Sequence, residues 1–120
     1  MAVLDELRRF APVEAVHGNM DEPALKELLP ERRVVEHEGV RIGLVHIAGA
    51  RAGRAERLVA RFPDCDAVVY GHTHVPEAAR RGSTWILNPG SPTERRRAPV
   101  RSMMVLDMGE GVVPRLITLP

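Results

Sequence analysis

Apolar residues change period along this chain, and each change marks an element. Val3, Leu4, Leu7 and Phe10 recur at helical spacing, predicting a helix over residues 2–10 that Pro12 ends. Residues 13–17 read as a short strand entering the Gly18-Asn19 turn. Glu22-Pro23 opens a brief helix carrying Ala24, Leu25, Leu28 and Leu29, and Pro30 closes it. Residues 33–37 and 40–46 are strand candidates joined at Glu38-Gly39 as a hairpin. The clearest helix covers residues 53–62. Ala55, Leu58, Val59 and Phe62 form its apolar stripe, and Arg54, Glu56, Arg57 and Arg61 lie outside it. The β-branched and aromatic run 67–70 is a buried strand. Strands 78–80 and 84–87 flank Arg81-Gly82-Ser83, and strands 102–107 and 112–119 flank Gly109-Glu110-Gly111. Strand and helix alternate early and hairpins follow late, so the class is α/β with mixed sheets.

The remaining bulk properties narrow the picture. At 120 residues the chain is expected to form a single domain with a modest core. A net charge of +1 gives no reason to invoke nucleic acid or a membrane surface as a partner. No apolar run approaches the roughly 18 residues of a membrane span, and the first residues lack a secretory pattern. The single cysteine, Cys65, precludes an internal disulfide and fits a reducing cytoplasm, where it reads as a small residue before a strand. Arg95, Arg96 and Arg97 read as a solvated loop rather than as contacts to a substrate phosphate.

Chemistry concentrates at the ends of the predicted strands. Gly71-His72-Thr73-His74 follows the strand at 67–70, and in an extended segment His72 and His74 point to one side. That place, past the carboxyl end of a strand, is where open α/β sheets put ligands. His46 closes another strand and Asn19 follows Gly18 at a third. Neutral imidazoles with an amide oxygen suit borderline divalent ions such as Mn, Zn, Fe or Ni better than Ca or Mg. Asp21 is either a carboxylate orienting a ligand or the N-cap of the next helix. His17 is unassigned. Asp64 and Asp66 read as turn residues, and Asn88-Pro89-Gly90-Ser91 as the loop beneath the site.

Gly18-Asn19-Met20-Asp21, His46 at a strand end, Gly71-His72-Thr73-His74 and Asn88-Pro89-Gly90-Ser91, in this order, resemble the calcineurin-like metallophosphoesterases. The branch they resemble comprises small bacterial and archaeal phosphodiesterases and includes the retromer small subunit as a non-catalytic relative. The resemblance implies a β-sandwich flanked by helices with a two-metal site on top. By motif, Asn19, His46 and His72 would bind one ion and His74 the other, with manganese the leading candidate and a phosphodiester as substrate. Two metals would activate a water for in-line attack on phosphorus.

Departures from the family pattern shape the expectation. The family's Asp-x-His and Gly-Asp motifs precede its Gly-Asn turn, yet the 17 residues before Gly18 contain neither. The expected fold is therefore an incomplete metallophosphoesterase sandwich lacking roughly the first third, including the metal-bridging aspartate. Met20 stands where many family enzymes carry a leaving-group-protonating histidine, and Ile47-Ala48 follow His46 in place of glycine and a histidine. Four neutral ligands leave two divalent ions uncompensated, so at most one weakly held ion is expected. Strand 13–17 would have an unpaired edge, predicting aggregation, an oligomer or a covering partner. A non-catalytic interaction module is the alternative to an enzyme.

Overall fold

The computed structural model describes residues 2–18, 29–93, 98–109 and 111–120. Its elements are α1 (Ala2–Arg8), β1 (Arg32–His37), β2 (Val40–Val45), α2 (Arg54–Arg61), β3 (Ala67–Tyr70), β4 (Glu77–Arg81), β5 (Thr84–Asn88), β6 (Arg101–Asp107) and β7 (Val113–Leu119). The first five strands form one mixed sheet in the order β1-β2-β3-β5-β4, and β6 and β7 form a second, antiparallel one. The predicted hairpins fall where expected. Glu38 (φ 51°) and Gly39 (φ 79°) give the β1–β2 connection two consecutive left-handed residues, the backbone of the tight hairpin turn whose twist matches paired strands.

The core lies on both faces of the large sheet. On one face Leu58 and Phe62 of the α2 region pack with Val45, Val68, Tyr70 and Ile86. On the other, Ile42, Ala67 and Leu87 meet Met104 and Leu106 of the small sheet, with Trp85 beside them. Helix, large sheet and small sheet thus make three layers, the α/β class that the alternation of elements predicted and the two-sheet sandwich that the resemblance implied.

Two elements differ from expectation. Residues 13–17 are not a strand: among the described residues their backbone link to the rest of the chain is His17 N–H donating to Pro30 O at 3.0 Å. A β-branched pattern makes a strand only when a neighbouring strand completes its ladder, and no described strand pairs with this segment, although Glu14 reaches Arg33 of β1 in an ion pair. Helix α1 exists, but its stripe is not a core stripe. Leu4 is buried, whereas Val3, Leu7 and Phe10 are 74%, 51% and 80% exposed. The predicted helix that Glu22-Pro23 opens lies mostly outside the described residues.

Candidate metal centre

Strands β2, β3 and β5 run parallel, with Val45 level with Tyr70 and Val69 level with Leu87. Their carboxyl ends therefore share one rim, and the next residues on that rim are His46, then Gly71-His72, then Pro89-Gly90. At the opposite rim Asp66 fastens the same three strands. Its carboxylate and backbone N–H both engage the Arg41 backbone, and its carbonyl accepts from Trp85 N–H. A residue read only as a turn former thus sets the strand register that aligns the histidines.

His46 and His72 come together edge to face, with ring centroids 5.3 Å apart and planes at 80°. The His46 ring lies between two glycines. A Cβ on Gly18 would stand 3.2 Å from Nε2, and one on Gly71 would stand 3.3 Å from Nδ1. Gly71 N–H also donates to His46 O at 3.0 Å, joining the two loops. Small residues on both sides let the imidazole sit at the strand ends without displacing either backbone.

The extended geometry expected of His72-Thr73-His74 is absent. His72 and His74 both have positive φ, 73° and 63°, and Thr73 N–H donates to Gly71 O at 2.9 Å, closing a γ-turn on His72. A left-handed non-glycine residue at a γ-turn is strained, so something must hold it. Asn88, fully buried, does so. Its Nδ2 donates to Thr73 Oγ1 at 3.0 Å and its Oδ1 accepts from Gly90 N–H at 2.9 Å. Thr73 Oγ1 accepts in turn from Val75 N–H. The Asn88-Pro89-Gly90-Ser91 loop is pinned from β6 by Ser102, whose hydroxyl donates to Pro89 O and whose N–H donates to Ser91 O. Gly90 has φ +77°, and a Cβ there would lie 2.1 Å from Ser102 Oγ. Only glycine fits.

The structure thus unites His46 and His72. Among the described residues no three of His, Cys, Asp and Glu form a set able to hold one ion, so His74 does not join them in a trio. Asn19 and Asp21 lie outside the described residues, as do Arg95, Arg96 and Arg97. His17 and His46 line one small cleft with Glu31, and the His17 Nδ1 lies 3.2 Å from Gly18 O.

Sequence reasoning missed the arginines of α2. Read as solvated, Arg54 and Arg57 instead grip the loop that follows His46. Arg57 donates to the carbonyls of Ala48, Ala50 and Ala52, and Arg54 to that of Gly49 and to the Tyr70 hydroxyl. The Arg54 guanidinium also lies 5.1 Å from the Tyr70 ring centre. A signal existed: residues 48–53 are alanine, glycine and one arginine, so their carbonyls are open to donors from the next helix. Tyr70 donates to Glu77. Burial and that carboxylate push the Tyr70 hydroxyl above the ordinary tyrosine range. Burial likewise pushes the Cys65 thiol up.

Residues 1–111 match the Calcineurin-like phosphoesterase superfamily domain. The chain belongs to that superfamily. A probable metallophosphoesterase of Methanocaldococcus jannaschii is 34% identical over 120 residues, covering 98% of this chain and 60% of that protein. The chain therefore spans about three-fifths of the length of this relative. A protein of Thermotoga maritima is similar in structure at TM-score 0.73 and 37% identity, covering 99% of this chain and 74% of that one. Vps29 of Entamoeba histolytica in complex with zinc matches at TM-score 0.71 and 28% identity, over 98% of this chain and 75% of that one. The sandwich is the metallophosphoesterase fold. Among the described residues no helix is long and apolar enough to cross a membrane.

Proposed function

We propose that the protein is a metal-dependent phosphodiesterase of the cytoplasm. In this reading Asn19, His46 and His72 hold one divalent ion, manganese by preference. His74 is the ligand for a second in the complete family site. The observation that carries this reading is the convergence of His46 and His72 on the rim where β2 and β3 end, in a chain of a phosphoesterase superfamily. Two imidazoles with an amide fit one borderline divalent ion. They do not fit two, because no carboxylate among these four residues offsets the second charge. A bound divalent ion supplies charge stabilisation to the phosphoryl oxygens and a nucleophile at neutral pH.

The chain's own residues supply position. Gly18 and Gly71 set the plane of His46, and Asn88 through Thr73 sets the turn that carries His72. Met20 has no proton to give, which disfavours phosphodiesters with poor leaving groups. A non-catalytic binding module is the second reading. It is favoured by the likeness to Vps29.

Hydrolysis of bis-p-nitrophenyl phosphate by the protein with manganese separates the readings. His72→Ala should cost on the order of a hundredfold in kcat/KM, with chelator equally effective. Undiminished activity in that variant would show the site misplaced. Ion binding at His46 and His72 with no hydrolysis would establish the binding module.

A further inference from the structure

The rim cleft containing His72 does not end there. A cavity of about 240 Å³ lined by His72, Thr73, Tyr70 and Arg54 shares the last three with a second cavity of about 330 Å³, which adds Arg51, Val75 and Glu77. The two cavities therefore adjoin at these residues and read together as one channel, whose second part no histidine lines. Arg54 is committed within it, to Gly49 O and to Tyr70. Glu77 is committed to the Tyr70 hydroxyl. Arg51 is different: exposed at the channel wall, its guanidinium engages no described residue. The charges lining the two cavities are thus two arginines against one carboxylate, with the uncommitted cation in the cavity that His72 does not line. Val75, 42% exposed, offers an apolar patch in the same cavity.

Resting on the phosphodiesterase reading, we propose that this channel receives the organic substituent of the substrate beyond the scissile phosphorus, and that Arg51 pairs with a second anionic oxygen group on it. A guanidinium presents its donors as a planar fork suited to phosphoryl or carboxyl oxygens. Val75 supports the body of the substituent. Arg54 is held in place by its own hydrogen bonds and contributes positive field without needing to move. Arg51 is then a specificity residue for doubly anionic phosphodiesters, and Glu77 limits how strongly any anion is held.

The test needs no turnover. Sodium phosphate and sodium acetate are titrated separately into the intact, metal-free chain while backbone amide shifts are followed by NMR. Saturable shifts at Gly49, Gly53 and Thr73 are expected with at least one anion, and the tighter of the two names the group. Arg51→Gln should weaken binding roughly fivefold, one charge-assisted contact. Glu77→Gln should tighten it about twofold, and Arg32→Gln on β1 should leave it unchanged. The Arg51 side chain makes no hydrogen bond or ion pair to a described residue, so its replacement breaks none. No saturable shift, shifts centred on Gly18 and Gly71, or equal binding by the Arg51 variant would overturn the proposal. Loss of the phosphodiesterase reading would show separately, as absent bis-p-nitrophenyl phosphate hydrolysis with this anion binding retained.

Discussion

Asn88→Ala probes the link between the two halves of the site. The side chain is fully buried and makes two hydrogen bonds, to Thr73 Oγ1 and from Gly90 N–H. Losing the part-buried bond to the Thr73 hydroxyl costs about 1 kcal/mol. Losing the acceptor for Gly90 N–H costs about 1–2 kcal/mol, because that loop is pinned by Ser102 and cannot swing outward. The small void left behind adds about 1 kcal/mol. The total is about 3–4 kcal/mol, a large share of a small domain's stability. Urea unfolding of Asn88→Ala, Thr73→Val and the double variant measures it. The cycle should return a coupling of about 1 kcal/mol between the two positions. A coupling near zero would mean that Asn88 does not hold the histidine turn. The same variant should weaken zinc binding several-fold, because His72 then relaxes from its left-handed conformation. Unchanged zinc affinity would refute the positioning role even if stability fell.

Further outcomes follow from the same structure. Gly90→Ala meets both a positive φ and Ser102 Oγ, and should destabilise by at least about 2 kcal/mol, whereas Gly90→Ala with Ser102→Gly should recover part of that loss in urea melts. Tyr70 is the chain's only tyrosine, so phenolate absorbance reports it alone. Because its folded pKa is raised, stability should hold below the ordinary tyrosine pKa and fall as pH climbs from there through the raised value. Tyr70→Phe should flatten that decline, and an unaltered pH profile would contradict it. Phe10→Ser at an 80% exposed site should change stability by less than about 0.5 kcal/mol. A larger loss in urea would show that the ring is covered in solution.

Much of the fold was legible because its elements obey simple periods. The run 67–70 forms β3 over those same residues, and helix 53–62 is observed as Arg54–Arg61 with Gly53 and Phe62 as its caps. Gly39, Gly82 and Gly111 mark reversals between strands. The strand at 13–17 failed because pairing is tertiary and the sequence pattern cannot supply the neighbour. The stripe of α1 failed similarly, as periodicity states which face is apolar but not what it meets. His46 and His72 were found from their places after strands. How His72 is presented was not, because a γ-turn depends on Asn88 and Thr73, which are 15 residues apart. Arg54 and Arg57 escaped notice for a related reason. Helical periodicity assigns charged positions to solvent, whereas the first turn of α2 packs beside a loop of open carbonyls.

The central claim is that His46 and His72 form a divalent-ion site, and the nitrogen shifts of the histidine rings on zinc titration test it directly. The chain has five histidines, which gives internal controls. The account predicts that ring nitrogens of His46 and His72 shift together at the lowest zinc concentration, up to one ion per chain. His37, beside Glu38 on the β1–β2 turn, should stay unchanged. First shifts at His37, or His46 and His72 titrating independently of each other, would contradict it.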